Sequence, residues 1–268
     1  MILGAVSFLQ YSFMKNAVIA ILLITPTFGI LGTMIVNRKM AFFSDALGHS
    51  ALTGLAVGVI LGIGSATGSM LIYGVAFALL LNKISSKNTA STDTVISVFS
   101  SCSIAVGLAI LSRGGNFSKY SSLLVGDILK ISVKEIGYLA IVFAITLLFW
   151  GLCFNQLHAI SMNRTLAKSR NMKVVLVENL FSVLVAVIVM LSIQWVGILL
   201  INALLILPAA ASRNISVNMR EYHFYSVIFS LFSGILGLVL SYYINTATGP
   251  TIVVIASVIY FVTYFIKI

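Results

Sequence analysis

An all-α, polytopic integral membrane protein with about eight to nine spans is the fold class this sequence predicts, on three observations. Hydrophobic residues make up 60% of the 268 and charged residues 8%, whereas a soluble domain carries about a quarter charged. Mean hydropathy is +1.13. The few charges stand at intervals that leave uncharged runs of about 20 residues, the length of a helix that crosses a bilayer.

The spans follow in chain order. Asn16 to Asn37 predicts the first, and it runs too far without a charge to be a signal-peptide core. Ala46 to Asn82 has room for two, with a turn at Gly62–Gly68. Thr94 to Ser112 and Ile136 to Leu157 predict one each. Asn179 to Ser212 predicts two compact spans if the turn is Ser192-Ile193-Gln194-Trp195, whose tryptophan suits a membrane interface. Phe224 to Ile266 predicts the last two, broken at Asn245–Pro250.

The net charge is +10. Its bases lie in short groups between apolar runs, the pattern of topology-setting membrane loops and not of a nucleic-acid surface. If the Arg38-Lys39 loop is cytoplasmic, eleven of the 16 Lys and Arg fall inside and five outside, so N-out, C-in is expected. The basic stretch from Arg113 to Glu135 then lies outside and is expected to hold a short interfacial helix around Leu123–Leu129. The loop at about 156–175 is the longest one assigned to the cytoplasm; Asn163 can cap a short helix over Thr165–Lys168. That loop reads either as a docking element or as a solvated connector.

Asp45 and His49 stand four apart, so a helix puts both on one face. An ionisable group in lipid costs roughly 2.5–3.5 kcal/mol on insertion scales and is rare there unless it serves a polar path or a ligand site. One oxygen and one nitrogen ligand suit manganese, zinc or iron(II) better than calcium or magnesium. A permeation path needs binding weak enough to release, so two ligands suffice for it; the alternative is a structural polar contact, the two bonding to each other or to a neighbouring helix. Gly48, Ser50, Ala51 and Gly54 on the same helix read as close packing. Pro208 is expected to kink or end its span and to shape a cavity, and Asn202 to face the same path or to bond a neighbouring helix.

Glu178 is expected at the inner interface, compensated by Lys173, and Asp93 at a helix start where the dipole favours it. His158 and His223 read as surface residues, Cys102 and Cys153 as buried small hydrophobes. The sequence holds no Gly-x-x-x-x-Gly-Lys-Ser/Thr, His-Glu-x-x-His or Gly-x-Ser-x-Gly stretch. Three histidines and six acids leave few groups for catalysis, which points to a conduit and not an enzyme.

Arg38-Lys39-Met40-Ala41-Phe42-Phe43-Ser44-Asp45-Ala46-Leu47-Gly48-His49-Ser50-Ala51 resembles the signature of the zinc/manganese/iron family of ABC-importer permeases. Three further stretches are similar to that family: Val196–Leu200 with Ala203–Arg213, Thr248–Val253 with Gly249-Pro250-Thr251 where Gly-Ala-Thr is commoner, and Phe8–Met14 with Ser12 in place of proline. The resemblance implies a type II ABC importer permease, residues 1–268 forming a single transmembrane permease domain in a bacterial plasma membrane. It implies a homodimer, a cytoplasmic ABC ATPase dimer that binds the ATP, an extracytoplasmic metal-binding protein or lipoprotein, no permanently bound cofactor, and manganese, zinc or iron as cargo. Asp45 and His49 match the family's metal-pathway positions. Asn163, Leu166, Ala167, Lys168 and Asn171 match its ATPase-coupling segment, with asparagine at 171 where glycine is usual; asparagine also tolerates the left-handed conformation. The other reading is a stand-alone secondary metal transporter or channel.

Overall fold

The computed structural model describes residues 10–85, 92–113 and 126–267. Phe8, Leu9 and Leu123–Val125, named above, lie outside the described residues. The helices are α1 (Ser12–Asn37), α2 (Ala41–Ile60), α3 (Ala66–Ser85), α4 (Thr92–Arg113), α5 (Val133–Met162), the short α6 (Arg164–Ser169), α7 (Val174–Val196), α8 (Ile198–Ile215), α9 (Met219–Ile244) and α10 (Thr248–Lys267). Among the described residues, eight are long and apolar enough to cross a membrane, and α8 is a shorter apolar helix.

The helix ends follow capping chemistry. Ser132 and Glu135 form a capping box at the start of α5: the Ser132 N–H and hydroxyl both donate to Glu135 Oε2 at 2.7 Å, and the Glu135 N–H donates to Ser132 Oγ at 3.4 Å. Asn218 caps α9 through its Oδ1, which accepts from the Glu221 N–H at 2.9 Å, and Asn245 ends α9 in the left-handed region, φ 54°. Of the expected interfacial helix, the described part is one 3-10 turn, Ile128–Lys130, capped by Asp127.

One expected boundary is corrected. Ser192–Trp195 stays helical within α7, and the chain breaks at Gly197, with φ 86° and ψ 153°. That conformation is essentially closed to side-chain-bearing residues, so glycine, and not the polar run before it, ends the helix. Pro208 lies inside α8, which continues to Ile215.

The chain divides into two compact units, drawn from Met1–Val36, Val125–Trp150 and Gln194–Ile268, and from Asn37–Leu124 and Gly151–Ile193. In the first, α8, α9 and α10 pack on one another. Ser226 and Ser230 of α9, one turn apart, donate to α1 carbonyls, Gly29 O at 2.8 Å and Thr25 O at 2.7 Å. Such contacts between helices, small residues included, hold membrane bundles in the absence of a hydrophobic drive. A cavity of ≈ 260 Å³ in this unit is lined by Asp127, Trp195 and Thr248, and α8 reaches it through Leu200 and Leu204.

In the second unit, α2 packs against α3 and α4. The small residues of α2 permit this: a Cβ on Gly54 would stand 2.9 Å from Tyr73 Cβ, and one on Gly58 would stand 2.3 Å from Ser69 Oγ. On the facing helix, a Cβ on Gly107 of α4 would stand 2.7 Å from Thr53 Oγ1.

Candidate metal pathway and coupling segment

Asp45 and His49 lie about one and two turns into α2, and the helical spacing brings their side chains together: His49 Nε2 is 3.4 Å from Asp45 Oδ1. The side chains keep 27% (His49) and 45% (Asp45) of their surface exposed. Among the described residues no group of three or more His, Cys, Asp and Glu is placed to hold a metal. Two protein ligands fall short of the four of a closed zinc site.

A third polar residue continues their stripe. Thr53, one turn past His49, is buried; it donates to the Ser103 carbonyl, and the Ser103 hydroxyl donates back to Thr53 Oγ1 at 3.0 Å. Tyr73 Oη lies 3.2 Å from Ser103 Oγ. This network pins α2 to α3 and α4 beside the pair. Only its spacing of four from His49 marked it in the sequence.

The segment at Asn163–Met172 folds as read. Asn163 Oδ1 accepts from the Leu166 N–H at 3.0 Å and starts α6. Ala167 is buried while Leu166 is exposed. Asn171, at φ 56°, closes the helix: the Met172 N–H donates to Ala167 O at 3.2 Å and the Asn171 N–H to Lys168 O at 3.0 Å, the two bonds of a Schellman end. Asparagine here does what glycine ordinarily does.

Glu178 corrects the expectation that Lys173 compensates it. Its Oε1 accepts from Arg38 Nη2 at 3.0 Å and its Oε2 from Arg164 Nη2 at 2.8 Å. Glu178 sits buried on α7, where a carboxylate needs donors that reach it, and Lys173 is exposed before the helix. Burial lowers the pKa of Arg38, and the Glu178 charge opposes that shift. A cavity of ≈ 400 Å³ gathers Asn37, Arg38, Asn82, Ile160, Arg164 and Glu178. The Arg38 turn, the end of α3 and the start of α6 therefore share one end of this unit, as their assignment to one membrane side requires.

The remaining residues divide. Asn202 is half-buried and Pro208 buried, both on α8 of the first unit. His223 is buried against Trp150 and Tyr222, not at the surface. Cys102 is exposed and Cys153 half-buried.

The model of the ABC 3 transport family matches residues 10–267. The manganese transport system membrane protein MntC of Listeria monocytogenes is 26% identical over 260 residues, 96% of this chain and 91% of that protein. The high-affinity zinc uptake system membrane protein ZnuB of Buchnera aphidicola is 28% identical over 249 residues, 92% and 95% of the two chains. Among solved structures, PsaBC from Streptococcus pneumoniae in complex with Fab superposes with a TM-score of 0.86 at 29% identity, covering 99% of this chain and 96% of that one.

Proposed function

The chain belongs to the ABC 3 transport family, and on that premise we propose that it is the membrane-spanning permease subunit of an importer for a first-row divalent metal ion. Its place is the bacterial plasma membrane, and it works as a homodimer with a separate ATPase dimer. One observation carries the cargo: a carboxylate and an imidazole 3.4 Å apart, half-exposed, on a helix that is otherwise apolar or small. Manganese and zinc, the metals in the names of its relatives, both accept an oxygen-plus-nitrogen pair, as does iron(II).

Asp45 and His49 act as passing ligands. They replace part of the ion's water shell when the path opens to the outside, and the second protomer's pair or water completes the coordination. Two ligands hold the ion long enough to transfer it and release it inward without a deep energy well. No bond in the cargo is made or broken. ATP binds on the partner subunit, and α6 is the surface on which that subunit's movement acts, through Asn163, Leu166, Ala167, Lys168 and Asn171. An extracytoplasmic binding protein delivers the ion.

Proteoliposomes separate this from a stand-alone carrier or channel. The chain alone is expected to move no metal, and the chain reconstituted with its ATPase subunit and loaded binding protein to accumulate metal only when ATP is present. Metal entry driven by the chain alone would assign it to the other class.

A further inference from the structure

Glu178 is shared by two guanidiniums far apart in sequence that meet at one end of the unit, and each takes a different oxygen: Arg38 at 3.0 Å on Oε1, Arg164 at 2.8 Å on Oε2. The Arg38 guanidinium carbon also lies 5.4 Å from the centre of the Phe181 ring, so α7 grips Arg38 with two side chains one turn apart. Arg164 is the first residue of α6. Arg38 sits in the Asn37–Met40 turn immediately before α2, the helix that carries Asp45 and His49.

A second tie runs parallel to the first. Asn37 Nδ2 donates to Ser161 Oγ at 3.1 Å, and Ser161 stands two residues ahead of the Asn163 cap. The short helix is thus held to the turn that begins α2 from both sides of its own start, by Ser161 and by Arg164 through Glu178. Lys39 in that turn has φ 56°. A non-glycine residue in the left-handed region is uncommon, so the turn just ahead of α2 holds a specific backbone shape.

Stability does not account for such an arrangement. Burying charges costs desolvation that the pairing only partly offsets, and apolar residues of similar size often do as well or better. A shared carboxylate does set geometry, because both forks must point at one group. We propose that Arg38, Glu178 and Arg164, supported by Asn37 and Ser161, form the linkage that carries displacement of α6 to α2, and hence to the metal ligands. These are positioning residues: they touch neither metal nor nucleotide. This inference rests on the permease function proposed above.

The test uses the whole complex, with the ATPase subunit and loaded binding protein, in proteoliposomes, and reads metal imported per ATP hydrolysed. Arg164→Met is the primary variant, since the Arg164 side chain is 36% exposed and its loss leaves Arg38 on Glu178. Import per ATP is expected to fall roughly tenfold, inside the roughly 5–150-fold span of coupling between sites, while the ATPase rate and the recovered complex stay at the wild-type level. Arg164→Lys, which keeps a charge and a donor within reach of Glu178, is expected to restore most of the ratio. Three results would overturn the linkage: an unchanged ratio in Arg164→Met, a proportional fall of uptake, ATPase and recovered complex, or Arg164→Lys as defective as Arg164→Met. A wild-type complex without ATP-dependent uptake would instead refute the permease assignment, so the two failures are distinguishable.

Discussion

Asp45→Ala, Asp45→Asn and His49→Ala are each expected to abolish metal uptake by the reconstituted complex while leaving its assembly and basal ATP hydrolysis intact. Magnitudes separate the two effects. An i,i+4 charged pair on a helix contributes about 0.3–0.5 kcal/mol, and these side chains are already 27% and 45% exposed. Their loss therefore scarcely touches the fold. For transport, losing even an outer partner of a metal ligand costs about 10–100-fold in affinity, and removal of a ligand from a two-ligand half-site is expected to cost at least that. Asp45→Asn is the sharpest variant, because its amide oxygen can still accept a hydrogen bond from His49 but its charge is gone. A structural polar contact would survive that change with uptake intact; a cation's path would not.

Gly126→Ala and Gly197→Ala are expected to destabilise the first unit more than any exposed substitution. A Cβ on Gly126 would stand 2.3 Å from Gly197 N and 2.4 Å from Val196 C, both backbone atoms that cannot swing aside, and Gly126 also has φ 69°. Gly197 holds φ 86° and ψ 153°, a region that costs a side-chain-bearing residue about 1–3 kcal/mol. The two glycines therefore pack backbone on backbone where α7 gives way to α8. A thermal-unfolding measurement on the detergent-solubilised chain should show either variant melting several degrees below wild type. Gly137→Ala, at a position where a Cβ meets no atom within 4 Å, is the matched control and is expected to melt with wild type. Equal melting of all four would remove the packing argument.

Physical reasons decide which features the sequence carried. Span positions follow from the bilayer's demand for unbroken apolar length, so the first span read at Asn16–Asn37 appears as α1 (Ser12–Asn37) and the turn before α3 falls where expected. Short-range chemistry was equally legible: the Asn163 cap and the left-handed Asn171 depend on residues within one turn. So did the meeting of Asp45 and His49, which helical pitch alone secures.

What escaped was long-range. Glu178 chooses Arg38, 140 residues away, over a lysine five residues away. His223 is covered by Trp150 and Tyr222, and no local pattern encodes the first of those neighbours. The polar run Ser192–Trp195 resembles a turn, yet the helix runs through it to Val196 and ends only where the backbone of Gly197 leaves helical geometry. In lipid, a serine and a glutamine can satisfy themselves within a helix, whereas φ 86° cannot be accommodated in one.

The central claim, that Asp45 and His49 pass a divalent transition metal inward, is tested most directly by element-resolved metal content. Cells of a strain lacking this permease are compared without the gene, with the gene restored, and with the Asp45→Asn gene restored, all grown on limiting metal. Restored accumulation of manganese, zinc or iron by the wild-type gene and not by Asp45→Asn is the predicted result. Equal restoration by both genes, or no change in any of these metals, would contradict it.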